Sequence, residues 1–327
     1  MKRIALPLAL LVLSGQAPAP PPAPKVLAPS EIVAAAPAAD WVAIEASDLL
    51  VMDLAPDRDG NKRRVVIQLM PPPFSQGWVG NIRKLAAARF WDATSINRVQ
   101  DNYVVQWGDA NAEDKAKAKG LPPGLAKVSQ SDYAIDFSKV RSWHTVSTVK
   151  SSQRSPRSYS PVDGKNDVSS DAYAWQTEIA NGWPVGTDTE TVWPVHCYGM
   201  VGVGRDMPPD TGTGAELYTV IGHAPRHLDR NIALVGRVIA GIEHLSSLPR
   251  GTGPLGFYEK PEQREGIVAV RLGNEVADLP RYQYLSTESA SFARYAAARA
   301  NRRDAFFIHP AGGADICNIP VPVRKVP

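Results

Sequence analysis

Arg98 and Gln106 stand eight residues apart, with Tyr103, Val104 and Val105 between them. Arginine keeps its charge at any working pH and presents several fixed N–H donors, while glutamine can donate and accept at once. A lone arginine in such a place reads first as a surface residue on a strand edge. The other chemistry-bearing groups form weaker patterns. His223 and His227 have the spacing of two metal ligands on one helical face, but Pro225 between them breaks that helix and makes a loop the better reading. Residues 202–205 hold a glycine pair without the rest of a phosphate-binding loop. There is no G-x-S-x-G nucleophile elbow. The Lys-rich residues 114–119 read as a solvated turn before Pro122 and Pro123. No metal and no cofactor is expected.

Cys197 and Cys317 are the two cysteines of the 327-residue chain. In an oxidising compartment such a pair is a disulfide candidate, the alternative being two unrelated buried thiols. The compartment is suggested by the N-terminus. Lys2 and Arg3 precede an apolar run at 4–13, and small residues follow to 19. That order is the layout of a secretory signal peptide over residues 1–19, and the run is too short for a membrane span, which takes about 20 apolar residues. A periplasmic or secreted protein is therefore expected. Without Lys2 and Arg3 the chain carries 34 basic against 33 acidic residues. Near-neutrality gives no electrostatic case for binding nucleic acid or an anionic membrane surface. Oligomeric state is not legible.

The elements that would position these groups are mostly strands. Residues 20–40 are rich in Ala and Pro and are expected to form an extended linker rather than packed structure. Residues 50–54 and 64–69 read as strands joined by a turn containing Asp59 and Gly60. Residues 81–90 change to helical spacing. Strands are expected at 103–106, 217–221, 232–239 and 266–272, with a short helix at 241–248 and another at 289–303. Between 110 and 196 periodicity is weak, with an exposed loop at 151–170 and a strand near 142–149. Pattern alone gives a mainly β core with capping helices.

Residues 90–109 read FWDATSINRVQDNYVVQWGD. This resembles the central signature of the cyclophilins, F-Y-[DN]-G-T-x-F-H-R-V-I-x-x-F-M-I-Q-G-G-D, with matches at Phe90, Asp92, Thr94, Arg98, Val99, Gln106, Gly108 and Asp109. Upstream, residues 77–85 (GWVGNIRKL) are similar to the family's V-x-N-F-x-x-L helix start. Downstream, residues 228–241 are similar to L-D-x-x-x-x-V-F-G-x-V-x-x-G.

The resemblance implies a closed, antiparallel, eight-stranded β-barrel capped by helices. It places the barrel at 41–253 with an insertion at about 110–196, and leaves 254–327 as an extension packed on it. It also implies rotation about X–Pro peptide bonds, whose barrier is about 18–20 kcal/mol. Such catalysis needs a donor that favours a pyramidal prolyl nitrogen and an apolar slot for the ring. By the resemblance Arg98 is the donor, Gln106 orients it and contacts substrate, and Tyr103 and Val104 form the proline pocket. The opposing wall departs from the family. Val203, Gly204 and Arg205 stand where Met, Ala and Asn would contact substrate backbone. Glu216 and Tyr218 fall in the place of S-Q-F-F, His227 replaces a pocket Trp or Phe beside Leu228, and Ile232 replaces a pocket His. The implied partners are proline-containing segments of exported proteins. The altered wall leaves a second reading, a polypeptide-binding module or chaperone with weak catalysis.

Overall fold

In Leu49–Leu54 (β1) the side chains of Leu50, Met52 and Leu54 share one core, and in Arg63–Leu69 (β2) Val65, Ile67 and Leu69 join them. This is the period-two pattern of strands with one face turned inward. The computed structural model describes residues 26–140, 145–146, 171–188, 190–310 and 313–326. Six further strands complete the pattern: Ser95–Val99 (β3), Val104–Gly108 (β4), Met200–Val203 (β5), Leu217–Val220 (β6), Leu234–Ala240 (β7) and Glu265–Leu272 (β8). They pair antiparallel in the order β5-β6-β4-β3-β8-β1-β2-β7, and β7 closes on β5. Closure leaves no unpaired barrel edge. The fold is the closed eight-stranded antiparallel barrel that the resemblance implied.

The α-helices among the described residues are Pro29–Ala34 (α1), Gln76–Ala87 (α2), Glu243–Ser246 (α3) and Ala290–Ala300 (α4). Helix α2 buries Trp78, Val79, Ile82, Leu85 and Ala86 along one face. The indole of Trp78 donates to the Thr211 carbonyl at 3.0 Å, which ties the helix to the loop before β6.

Three expectations on domain limits are corrected. The barrel does not end at 253, because β8 inserts between β3 and β1. The extension therefore begins after Leu272. Residues 41–44 lie outside the barrel: Trp41–Ile44 pairs with Tyr282–Leu285, which pairs in turn with Val323–Lys325 in a separate three-stranded sheet. The Ala/Pro segment is not an extended tether over 29–36. Pro29 opens α1, the Glu31 carboxylate accepts the Ala28 N–H at 2.8 Å, and Ile32 packs into the main core beside α4. Proline suits the first turn of a helix, so a Pro/Ala stretch with an apolar contact can pack. The expected signal peptide, residues 20–25 of the linker and the loop at 151–170 lie outside the described residues.

The segment of weak periodicity carries a five-stranded sheet, in the order Ile135–Asp136, Thr191–Pro194, Trp183–Thr187, Gln176–Ala180, Thr145–Val146. Every residue of Trp183–Thr187 (WPVGT) is buried. A strand covered on both faces shows no alternation, and Pro184 and Gly186 argue against a strand on propensity. Arg237 fastens this sheet to the barrel. It is buried in β7, donates to Gln68 Oε1 at 3.0 and 2.8 Å and to the Gly182 carbonyl at 2.6 Å, and lies 4.5 Å over the Trp183 ring. Burial pulls its pKa down to about 10, so it stays charged at neutral pH. Arg237→Met would leave the Gly182 carbonyl and Gln68 without their donor, at a cost of roughly 1–3 kcal/mol. Urea denaturation should show that loss, and an unchanged midpoint would refute the anchoring role.

Candidate active site

The site is built by strand register. Arg98 on β3 is opposite Gln106 on β4, Gln106 is opposite Tyr218 on β6, and Tyr218 is opposite Gly202 on β5. One row of side chains thus crosses four strands on the outer face of the barrel. A bulge between Ile96 and Arg98 lets Ile96 and Val99 both face the core while Arg98 faces out. On β4, Val105 and Trp107 belong to the barrel core, whereas Val104 joins Tyr218, Val220, Tyr103 and Ile232 in a separate apolar cluster. Tyr103, Val104, Tyr218 and Ile232 of this second cluster line the site.

The Arg98 guanidinium is fixed by three acceptors. Nη1 donates to Gln106 Oε1 at 2.8 Å, Nε donates to the Leu255 carbonyl at 2.7 Å, and Nη2 donates to Gln100 Oε1. Those bonds use three of its five N–H groups. Its carbon lies 5.7 Å from the Tyr103 ring centroid and 5.4 Å from that of Phe257. Burial lowers its pKa, while Tyr103 and Glu216 act to raise it. Gln106 is held at both ends, accepting from Arg98 and donating through Nε2 to Glu216 Oε1.

Beside the guanidinium is a cavity of about 100 Å³ lined by Tyr103, Val104, Gln106, Gly204, Arg205, Tyr218, Leu228 and Ile232 as well as Arg98. Pockets for whole small molecules run to roughly 300–1,000 Å³, so this one takes a single small side chain or ring. It opens beside a wider groove of about 620 Å³ that Arg98, Gln106, Arg205 and Glu216 also line.

The row and pocket bring together Arg98, Tyr103, Val104, Gln106, Gly204, Arg205, Tyr218 and Leu228. Glu216 lies at the groove wall, and His227 stacks on Tyr103 with centroids 6.2 Å apart and planes 8° apart. Val203 is placed otherwise: it is 0% exposed and its side chain belongs to the barrel core. Alternation along β5 turns Val201 and Val203 inward, so the expectation of a Val203 side chain in the groove is corrected. Arg205 is engaged with backbone, donating from Nε and Nη2 to the Asn231 carbonyl at 3.0 and 2.9 Å. Cys197 and Cys317 are joined by a disulfide.

Three contributors escaped sequence reasoning. Leu255 and Phe257 come from the loop between β7 and β8, where no periodicity ties a residue to Arg98. Leu255 holds a left-handed conformation (φ 56°), and Gly256 after it lies so close to β3 that a Cβ would come within 2.7 Å of the Gln100 Cα. Gln100 stood inside the quoted signature, two residues after Arg98, and that spacing on one strand face was the available signal.

Glu216 gives the site a pH signature. Burial raises its carboxyl pKa, opposed by the Gln106 hydrogen bond and the Arg98 charge. A carboxylate whose pKa is higher folded than unfolded contributes stability that is full below the unfolded value and is lost as pH rises through the folded one. Glu216→Gln should therefore be at least as stable as the parent at neutral pH. It should also flatten the fall in stability with rising pH above the ordinary glutamate range. Thermal melts from pH 4 to 8 check this, and a variant destabilised only at neutral pH would contradict it.

The closed barrel thus carries on its outer face a fixed arginine beside a ring-sized apolar slot. The family model described as cyclophilin type peptidyl-prolyl cis-trans isomerase/CLD matches residues 61–272, and the chain belongs to that family. Its activity class is peptidyl-prolyl isomerisation. Among solved structures, a cyclophilin from Hirschia baltica is similar in fold at 20% sequence identity, with a TM-score of 0.63 over 87% of this chain and 92% of that one. A cyclophilin type peptidyl-prolyl cis-trans isomerase from Cryptosporidium parvum, crystallised in the presence of the dipeptide Ala-Pro, aligns at 10% identity. Its TM-score is 0.36, over 68% of this chain and 98% of that one. No curated protein matches the chain. No helix of the described residues is long and apolar enough to cross a membrane.

Proposed function

We propose that this isomerase acts on proline-containing segments of exported proteins, with Arg98 donating to the prolyl nitrogen while the ring occupies the apolar pocket. The observation that carries the reading is the Arg98 guanidinium, pinned by three acceptors at the lip of a cavity of about 100 Å³. Rotation about the imide bond breaks conjugation and returns a lone pair to nitrogen. A donor placed there binds the twisted amide more tightly than the planar one, which is the differential binding that accelerates a reaction. Each ~1.4 kcal/mol removed from the barrier gives about tenfold in rate. Tyr103, Val104, Tyr218 and Ile232 hold the ring and exclude water. Gln106, bonded to Arg98 and Glu216, keeps the donor from swinging into solvent. Purified protein should accelerate cis-to-trans isomerisation of a proline tetrapeptide. Tight binding of such a peptide without acceleration would favour the chaperone reading.

The order of basic, apolar and small residues at 1–19 supports export to the periplasm or beyond. N-terminal sequencing of protein expressed in a Gram-negative host should find a chain beginning close to residue 20. An intact Met1 on soluble protein would overturn export.

A further inference from the structure

We propose that His196 is a positioning residue for the proline pocket, acting through Tyr218 from behind the pocket wall; this rests on the pocket assigned above. Tyr218 lines the pocket yet is only 4% exposed, so its hydroxyl needs a protein partner. The partner is His196, itself 0% exposed, whose Nε2 lies 2.8 Å from Tyr218 Oη.

The direction of that bond follows from what holds the imidazole. His196 Nδ1 is 2.8 Å from Asp229 Oδ1, which also accepts the His196 backbone N–H at 2.9 Å. The other oxygen of Asp229 accepts from Arg226 Nε at 2.7 Å, and Arg226 Nη1 reaches Asp171 Oδ2 at 2.8 Å. A carboxylate paired with a guanidinium is an acceptor only, so Nδ1 carries a proton, and in the neutral imidazole Nε2 then presents a lone pair. Toward the neutral imidazole the Tyr218 hydroxyl is the donor. The ring reaches this partner across Gly202, where a Cβ would come within 2.3 Å of Tyr218 Cζ and Oη. Any larger residue at 202 would drive the ring from His196.

A run of charges buried behind an apolar slot is costly. Desolvating an ion pair takes several kcal/mol per ion, and packed apolar residues often do as well or better for stability. What such a run supplies is fixed geometry. Here it fixes one wall of the pocket to Asp171, within the inserted segment, and to the His196 backbone beside the Cys197–Cys317 disulfide.

The test is a double-mutant cycle on the full chain, with Tyr218→Phe, His196→Leu and the double variant. It is read both as kcat and KM for a proline tetrapeptide and as the peptide's Kd. Each single change should weaken kcat/KM and Kd by about fivefold or more, chiefly through KM, because the wall holds the ring in ground and transition states alike. The double variant should be no worse than the poorer single, since both remove one link. Losses that multiply in the double variant, or parental kcat/KM and Kd in either single, would overturn the proposal. Should His196→Leu fail to fold, Tyr218→Phe decides alone, since it keeps the ring and removes only the hydroxyl: a fivefold loss supports the link and parental values overturn it. A parent without isomerase activity would refute the proposed catalysis, while the cycle in Kd would still decide the role of His196.

Discussion

Arg98→Ala is expected to lower kcat/KM for a proline peptide by about 10²–10³ while leaving the barrel folded. That range is the usual cost of removing one preorganised donor aimed at charge that develops in a transition state. The fold should survive because Arg98 faces the outer groove and the barrel core closes behind it through Ile96 and Val99. Its removal does strip partners from Gln100, Gln106 and the Leu255 carbonyl, but Leu255 is 66% exposed and water can replace the lost donor there. Arg98→Lys should recover little. A lysine ammonium cannot reproduce the planar fork that meets Gln106, Gln100 and the Leu255 carbonyl together. Circular dichroism with the rate assay checks the pair of claims, and a folded Arg98→Ala with parental activity would remove Arg98 from the chemistry.

The disulfide should dominate stability. It joins positions 120 residues apart, linking the segment before β5 to Ile316–Asn318 near the C-terminus. Closing a loop of that length takes enough entropy from the unfolded chain to stabilise the native state by about 4–5 kcal/mol. Reduction, or the paired change Cys197→Ala with Cys317→Ala, should lower the denaturation midpoint accordingly. Equal midpoints with and without reductant would show that the cross-link adds nothing.

The edge of the site that carries Arg98 was legible because its residues lie within one short run. Arg98, Tyr103 and Gln106 fall on two adjacent strands and the turn between them, so local sequence contains their geometry. Period-two alternation likewise located β1, β2 and β8 to within a residue or two. The opposing wall was harder. Val203 resembled a groove residue by its place in a pattern, but alternation with Gly202 turns its side chain into the core. His196 and Arg226 carried no motif, and Asp229 stood in the L-D segment with no role attached, because their relation to Tyr218 exists only once β6 and the segment before β5 are brought together. Within the sheet of 110–196 the strand Trp183–Thr187 was hidden by burial on both faces, which erases the alternation that reveals a strand. Helix α1 was hidden by composition, since Ala and Pro in series read as a tether until Ile32 finds a surface to pack on.

The most direct test of the central claim is exchange spectroscopy on a proline peptide with catalytic amounts of the parent protein. Cis and trans resonances that exchange too slowly to observe in the free peptide should show exchange cross-peaks when the protein is added, and Arg98→Ala should abolish them. Peptide signals that shift on binding but show no cis–trans exchange would contradict the account, leaving a barrel that holds proline segments without turning them.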